Sequence, residues 1–151
     1  MGDEVWVHDT GEVDWQQLSD LYRRAPLGDK PPDALRTVFG NSMYVCLVYA
    51  GGALVGAGRA LADGIDCAYI ADVAVDPGHQ GRGLGRAIIR RLVEMAGGHK
   101  KIILYANPGT EGFYEGLGFL HMNTAMAIWY DNDAAVAAGV LAAPPEAGSS
   151  T

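Results

Sequence analysis

Apolar and polar residues alternate with two different periods along this chain, and the change of period separates strands from helices. Val5 to His8 alternates as a strand does, whereas the segment after Asp14 repeats at helical spacing. Its apolar positions share one side of a helix: Trp15, Leu18, Leu21 and Tyr22. We predict that Asp14 caps this helix and that Pro26 ends it. A second short helix is predicted from Asp33 to Phe39, with Pro32 near its start.

Three β-strands are predicted in the middle of the chain. They run from Met43 to Tyr49, from Ala53 to Ala62 and from Asp66 to Val75. Gly51-Gly52 is typical of a tight hairpin between the first two, and Asp63-Gly64 indicates a turn before the third. The middle of the chain is therefore predicted to be an antiparallel meander.

A long amphipathic helix is predicted from Leu84 to Ala96, and Gly97-Gly98 ends it. A buried strand follows from Lys101 to Asn107, and then a short helix from Thr110 to Gly116. The remaining predicted elements are strands near Leu120–Met122 and Ala125–Tyr130.

Residues 131–151 are predicted to be a flexible, solvated tail. Ala, Gly, Pro and Ser prevail there and no aromatic residue occurs, although a stub of helix is compatible with Asp133 to Ala138. Residues 1–130 then form one domain, as expected for a chain of 151 residues without internal repeats.

The residues Gln80 to Gly85, which we call the cradle, read QGRGLG between a predicted strand and a predicted helix. Glycines at 81, 83 and 85 let the backbone turn tightly and come close to a ligand. The first NH groups of the helix have no partner within the helix. They are therefore able to bind an anion such as a pyrophosphate.

The spacing of these glycines distinguishes three kinds of phosphate loop. A dinucleotide fingerprint needs Gly or Ala where Arg86 or Ile88 stands. A Walker loop needs Lys and then Ser or Thr directly after Gly85, where Arg86-Ala87 stands. The pattern Gln/Arg-x-x-Gly-x-Gly/Ala does fit, at Gln80, Gly83 and Gly85. It resembles the acyl-CoA pyrophosphate loop of the GNAT acetyltransferase superfamily.

A second pattern strengthens this resemblance. Asn107, Tyr114 and the pair Gly118-Phe119 are similar to the GNAT order of Asn, a Tyr seven residues later, and Gly-Phe four and five residues after the Tyr. Both patterns occur in the family's order, about 25 residues apart, and motifs in their expected context are the more specific signal. The chain is identified as a member of this superfamily, similar to its small bacterial and chloroplast-type members, including arylalkylamine N-acetyltransferases.

The resemblance implies an α/β fold whose central mixed, mostly antiparallel sheet has about six or seven strands flanked by about four helices. It implies acetyl-CoA as cosubstrate and no metal. The pantetheine arm would pair with the strand at Val73 and Val75 and contact Asn107 and Tyr114. The pyrophosphate would bind to the cradle, that is to Gln80, Gly81, Arg82, Gly83, Leu84 and Gly85.

Three side chains are candidates for catalysis. Tyr114 is the candidate general acid, since a phenol within reach could protonate the departing thiolate. Many family members carry a Glu base on the strand before the cradle, where Tyr69 stands here. Asp72, three residues later, either binds the ammonium group or relays its proton, or else is a structural residue that bonds a neighbouring loop. His121 is a second candidate base.

Composition narrows the class of protein further. Hydrophobic content of 49% and charged content of 19% are typical of a globular protein, and no apolar run reaches the length of a membrane span. We expect a cytoplasmic protein. The net charge of −7 argues against a nucleic-acid partner and favours a cationic small molecule, unless it only maintains solubility. Cys46 and Cys67 are expected to be buried free thiols.

These observations predict an acetyl-CoA-dependent N-acetyltransferase that transfers acetyl directly to a primary amine of a small molecule. Neither cysteine lies in the matched motifs, so no covalent acyl-enzyme is expected. Arylalkylamines, aminoglycosides, polyamines and protein N-termini stay open as acceptors, as does a non-catalytic acyl-CoA-binding module. A homodimer is a further expectation from the superfamily. By analogy, aromatic residues available to line an acceptor pocket are Tyr22, Phe39, Tyr44, Trp129 and Tyr130.

Overall fold

The structure is a computed structural model that describes residues 3–146. The described chain contains five strands and five α-helices, together with one 3-10 turn. It divides into two compact units between Leu104 and Tyr105. The first unit holds the whole sheet, and the second holds two short helices.

The first unit follows the predicted order of elements. They are β1 (Glu4–Val7), α1 (Trp15–Arg24), α2 (Pro32–Gly40), β2 (Tyr44–Ala50), β3 (Ala53–Ala62), β4 (Cys67–Val75), α3 (Leu84–Met95) and β5 (Lys101–Ile103). Strands β1 to β4 are antiparallel neighbours in chain order, and β5 lies parallel to β4 at the edge. The predicted α/β class with a mixed, mostly antiparallel sheet is confirmed.

Local sequence signals account for the ends of these elements. The Asp14 carboxylate accepts hydrogen bonds from the NH groups of Gln16 and Gln17, which confirms the predicted cap of α1. Pro32 occupies the first turn of α2, where a missing NH costs nothing. The β2–β3 hairpin turns at Gly51 and Gly52, whose φ angles of 57° and 82° favour glycine.

Helices cover both faces of the sheet, so the first unit has three layers. On one face, α1 and α2 build the main core with β2, β3 and β4, including Leu18, Leu21, Tyr22, Leu35, Phe39, Val45, Leu47, Leu54, Ala57 and Ala74. On the other face, α3 lies close to β3 because Gly56 and Gly58 present no side chain. A Cβ at Gly58 would come within 3.0 Å of Ile88 and Leu92.

Strand β5 ends earlier than predicted. The sequence predicted a strand from Lys101 to Asn107, but pairing with β4 ends at the register Tyr69↔Ile103. Beyond that point, within the described part of the first unit, Ala71, Ala74 and Val75 of β4 pair with β3 alone. This half of β4 therefore presents an open strand edge, which is the kind of edge that an extended ligand pairs with.

The second unit corrects the predicted strand count. It contains α4 (Glu111–Glu115) and α5 (Asn132–Ala137), while the strands predicted at Leu120–Met122 and Ala125–Tyr130 do not occur among the described residues. The sheet therefore has five strands instead of six or seven, and five helices occur instead of about four. Alternation favoured strands there, but a hairpin without further partner strands is only marginally stable.

The predicted tail contains one ordered element. Helix α5 overlaps the stub predicted from Asp133 to Ala138 but begins and ends one residue earlier, and the Asp131 side chain accepts a hydrogen bond from the NH of Ala134 at its start. Residues 147–151 of the predicted tail lie outside the described residues. Within residues 3–146, no helix has both the length and the apolar character that crossing a bilayer requires.

The close contact between α3 and β3 predicts the effect of one added methyl group. We expect Gly58→Ala to lower the free energy of unfolding by about 1–3 kcal/mol, because the new Cβ overpacks the layer between helix and sheet. Urea denaturation measures this change. Gly40→Ala is the matched control, since nothing lies within 4 Å of its Cβ position. Equal stability of the two variants would show that α3 is not held this closely.

Candidate active site

Strand β4 contains a β-bulge just before the cradle. Ala74 lies opposite Ala57, and Ala71 lies opposite Arg59, so the two residues Asp72 and Val73 face Gly58 alone. A bulge of this kind interrupts the ladder and increases the local twist. It therefore redirects the backbone of β4 at the start of its open edge.

Asp72 adopts a backbone conformation that glycine usually occupies in such bulges. Its φ is 58°, the one positive value recorded for a non-glycine residue in the described chain. Asp tolerates this left-handed region better than most residues, yet the conformation still needs support from its surroundings. The buried Tyr22 supplies it by donating its hydroxyl proton to the Asp72 carbonyl, at 2.6 Å.

The Asp72 carboxylate is held between two cations. Arg59 Nε donates to Oδ2 at 2.8 Å, and Lys30 Nζ lies 3.5 Å from Oδ1. Arg59 also donates to Ser42 Oγ at 3.2 Å. We call Asp72, Arg59 and Lys30 the Asp72 cluster. Because both carboxylate oxygens already face a cation, the geometry favours the structural interpretation of Asp72 over that of a base.

Tyr22 remains a hydrogen-bond donor to this bulge over a wide pH range. Burial raises its pKa well above the usual range, and the nearby Asp72 carboxylate raises it further. The phenol therefore stays protonated at neutral pH and keeps its bond to the Asp72 carbonyl.

Asp76 fixes the chain where β4 leads into the cradle. Its carboxylate accepts from Arg24 Nε at 2.7 Å and from the Gly78 NH at 3.0 Å, and it lies 3.3 Å from His79 Nδ1. These contacts lower the pKa of Asp76, the hydrogen bond from Arg24 most of all. Asp76 thereby ties the turn after β4 to the end of α1.

The cradle is open where an anion would enter it. Gly81 and Gly83 have φ angles of 81° and 78°, and nothing lies within 4 Å of the position of a Cβ on either residue. Gln80 donates its side-chain amide to the Val75 carbonyl at 3.1 Å, so it supports the loop from within. The Arg82 side chain is exposed and available for contact.

Helix α3 begins directly from this loop. Gly83 is its N-cap residue and, among the described residues, no side chain caps its first turn. The NH groups at this end carry the positive end of the helix dipole. The Leu84 side chain is buried in the core, so Leu84 can contribute only its backbone to a ligand. The predicted binding surface is thus formed mainly by backbone.

In the second unit, the motif around Tyr114 has a clear physical basis. Gly118 has a φ of 95°, and the NH groups of Leu117 and Phe119 both donate to the Tyr114 carbonyl. This turn brings the Phe119 ring to 6.0 Å from the Tyr114 ring, edge to face. Burial raises the pKa of the half-buried Tyr114 phenol, which keeps it protonated as a proton donor must be.

Two other predicted site residues of the second unit, Asn107 and His121, make contacts that are typical of turns and exposed surfaces. The carbonyl of the exposed Asn107 accepts from both the NH and the hydroxyl of Thr110, so Asn107 begins the turn before α4. His121 Nε2 lies 3.0 Å from Glu115 Oε1, and both side chains are exposed. His121 therefore occurs as a partner in a surface pair.

Most of the aromatic residues offered for an acceptor pocket are accounted for by packing. Tyr22 and Phe39 are fully buried in the main core. Tyr44 packs edge-on against His99, and Trp129 packs edge-on against Tyr105. Tyr130 is fully exposed.

The cysteines are free, as predicted, although only one is buried. Cys46 lies in the core, where burial raises the pKa of its thiol to about 12, while Cys67 is partly exposed. A thiol with so high a pKa is a poor nucleophile at neutral pH. Cys46 therefore offers no route to a covalent acyl intermediate.

Within residues 3–146, no group of three or more His, Cys, Asp or Glu side chains is arranged to hold a metal ion.

Comparison with known proteins places this arrangement in a family. The sequence profile described as the acetyltransferase (GNAT) family matches residues 14–119, which include β4, the cradle and the Tyr114 motif. The chain belongs to the GNAT acetyltransferase family. This family consists of acyltransferase enzymes.

Relatives of this GNAT chain differ in their named acceptors. The chain is 37% identical over 113 residues to serotonin N-acetyltransferase 2, chloroplastic, of Oryza sativa subsp. japonica, covering 71% of this chain and 56% of the relative. It is 32% identical over 122 residues to histone acetyltransferase TAP1 of Glycine max, covering 72% and 53%. The chain thus spans about half the length of these relatives.

A solved structure supports the fold of this GNAT chain. It is that of a Deinococcus radiodurans R1 protein described as a candidate acetyltransferase, with a TM-score of 0.76 and 27% identity over 88% of this chain and 93% of the other.

Sequence reasoning missed the residues that support the predicted GNAT site. Tyr22 and Arg59 hold the bulge, and Arg24 and Asp76 hold the turn after β4. The one local signal was Asp76-Pro-Gly, where an Asp before a turn commonly accepts from the NH two residues later.

The left-handed backbone of Asp72 predicts that a glycine variant at this position is more stable than an alanine variant. We expect Asp72→Ala to be less stable than Asp72→Gly by about 1 kcal/mol, because both variants lose the carboxylate but only Ala is strained at this φ. Chemical denaturation of the two variants measures the difference. At ordinary strand positions Gly is the less stable choice, so an Ala variant equal to or better than the Gly variant would contradict the bulge conformation.

Proposed function

We propose that the protein is an acetyl-CoA-dependent N-acetyltransferase that transfers acetyl directly to a primary amine. The observation that carries this proposal is the start of α3 at the left-handed Gly83, which no side chain caps among the described residues, in a chain of the GNAT family. Residues 76–82 connect this helix start to the open edge of β4. Backbone NH groups of the cradle would hold the CoA pyrophosphate. The pantetheine arm would extend along Val73 to Val75, with Asn107 as a further contact.

The chemistry needs a neutral amine and a proton for the leaving thiolate. The amine nitrogen attacks the thioester carbonyl, the C–N bond forms and the C–S bond breaks, and the amine gives up one proton to solvent. The CoA thiolate takes its proton from the Tyr114 phenol, whose raised pKa keeps it protonated, and the phenolate then regains a proton from solvent. Asp72 would act as a positioning residue that shapes the bulge and not as the base, because its carboxylate is paired with Arg59 and Lys30.

The acceptor class and the cellular location are proposed separately from the reaction itself. A small-molecule amine is our first choice, and a protein or peptide amine is the second, since one relative is named a histone acetyltransferase. The cytoplasm stays our prediction, with a plastid as the alternative because the rice relative is named chloroplastic. The homodimer also stays a prediction.

Tyr114→Phe tests the enzymatic proposal. We expect turnover to fall at least about tenfold while CoA affinity is unchanged, since general acid catalysis typically contributes about 10²- to 10⁴-fold. Thiol release from acetyl-CoA, measured over a panel of amines, amino acids, sugars and peptides, gives turnover, and calorimetry gives affinity. Because burial raises the pKa of Tyr114, the alkaline fall in the wild-type rate that comes from loss of the phenol proton should lie above the pH at which an exposed tyrosine titrates.

Tyr130→Phe is the matched control for Tyr114→Phe. Tyr130 belongs to the same unit and is fully exposed, so removing its hydroxyl should leave the rate unchanged. Equal rates in wild type and Tyr114→Phe would remove Tyr114 from the mechanism. CoA binding without turnover of any amine would favour the alternative of a non-catalytic acyl-CoA-binding module.

A pair of substitutions at Gly83 tests the cradle. Gly83→Asp and Gly83→Asn introduce side chains of similar size into the same open space, and both residues tolerate a left-handed backbone. Only Asp adds a negative charge beside the pyrophosphate. We expect CoA affinity to be at least about tenfold weaker in the Asp variant, because like charges brought together cost several kcal/mol. Equal affinities in calorimetry would place the pyrophosphate elsewhere.

A further inference from the structure

The Asp72 cluster carries a net positive charge inside an acidic chain. Its two cations, Arg59 and Lys30, face the single Asp72 carboxylate, so its formal charge is +1. Asp72 therefore cannot neutralise both partners. One positive charge is left over at the point where β4 bulges.

The two cations differ in how fully they are engaged. Arg59 is 13% exposed and donates to both Asp72 and Ser42 at hydrogen-bond distance. Lys30 is 29% exposed, and its Nζ lies 3.5 Å from Asp72 Oδ1, which is beyond a good hydrogen bond. Lys30 thus has ammonium protons to offer to an incoming group, and it is the more exposed of the two cations.

Lys30 is held in place by buried residues of α1. Ser19, only 3% exposed, donates its hydroxyl to the Lys30 carbonyl at 2.6 Å. The Lys30 ammonium also lies 5.6 Å from the centroid of the Tyr22 ring, within the range of a cation–π contact. A lysine fixed at its backbone, over an aromatic ring and beside a carboxylate is positioned more closely than an ordinary surface lysine.

We propose that Lys30 binds an anionic group of the acceptor, a carboxylate or a phosphate, so that the preferred substrate is a primary amine that also carries a negative charge. This inference rests on the proposed acetyltransferase function, because it assigns part of the acceptor's binding site. It replaces the expectation that Asp72 binds the acceptor's ammonium group. An ammonium group placed there would meet Lys30 and Arg59 as well as Asp72, and it would be repelled overall.

The test compares matched acceptor pairs that differ in one anionic group. Tyramine against tyrosine tests the carboxylate, and glucosamine against glucosamine 6-phosphate tests the phosphate. The quantity compared is kcat/KM for the anionic member divided by kcat/KM for the non-anionic member, in the pair that the enzyme uses. We expect this ratio to be at least about tenfold lower in Lys30→Gln than in wild type, because one charge-assisted hydrogen bond is lost. The non-anionic member should keep its kcat/KM.

Two further variants control for charge and for general electrostatics. Lys30→Arg keeps the charge and should retain most of the preference for the anionic member. Lys100→Gln removes one charge from another exposed lysine of the same unit and should leave the ratio unchanged. An unchanged ratio in Lys30→Gln, or an equal change in Lys100→Gln, would overturn the proposal.

A binding measurement separates this proposal from the acetyltransferase proposal. The ε-ammonium NMR signal of Lys30, assigned by its loss in Lys30→Gln, is followed during titration with each acceptor in the presence of CoA. A saturable shift with the anionic member alone supports the anion subsite, even if no acceptor of the panel turns over. No shift with any anionic member overturns the subsite, even if acetyl transfer to other amines is observed.

Discussion

The candidate site depends on one strained residue and on the hydrogen bonds that keep it strained. Asp72 holds a left-handed backbone in the middle of a strand, which few residues other than glycine do without cost. Tyr22 from α1 and Arg59 from β3 bond its carbonyl and its carboxylate, so three elements meet at one residue. The bulge therefore forms only when the helix layer and the sheet are packed together, which couples the shape of the site to the core.

The same coupling continues along β4 to the cradle. Asp76 ties the end of the strand to Arg24 on α1, and Gln80 ties the loop to the Val75 carbonyl. Each bond uses a polar side chain to fix backbone, which leaves the NH groups at the start of α3 for a ligand. A phosphate site made of backbone needs such fixation, because preorganised donors lose little entropy when they bind.

Periodicity and glycine spacing were sufficient to predict β1 to β4, the three longer helices and the cradle, since these depend on neighbours within a few residues. The supports of the bulge were out of reach, because Tyr22 and Arg59 lie 50 and 13 residues from Asp72 in the chain. The strands predicted between residues 120 and 130 fail for a related reason. Alternation of apolar and polar residues shows which side chains would share one face of a strand. A strand also needs a neighbouring strand to pair with, and no local sequence pattern shows whether one is available.

The net charge of the chain is a poor guide to the charge at one site, because it does not show which residues lie close together in the fold. Of the 18 acidic residues, several are committed to local structure: Asp14 caps α1, Asp63 accepts from the NH groups of a turn, and Asp76 pairs with Arg24. Salt screens exposed charges beyond about 8–10 Å, so a total of −7 says little about the field at one site. What any charged group would meet at the bulge is set by the nearest charges, and there two cations face one carboxylate.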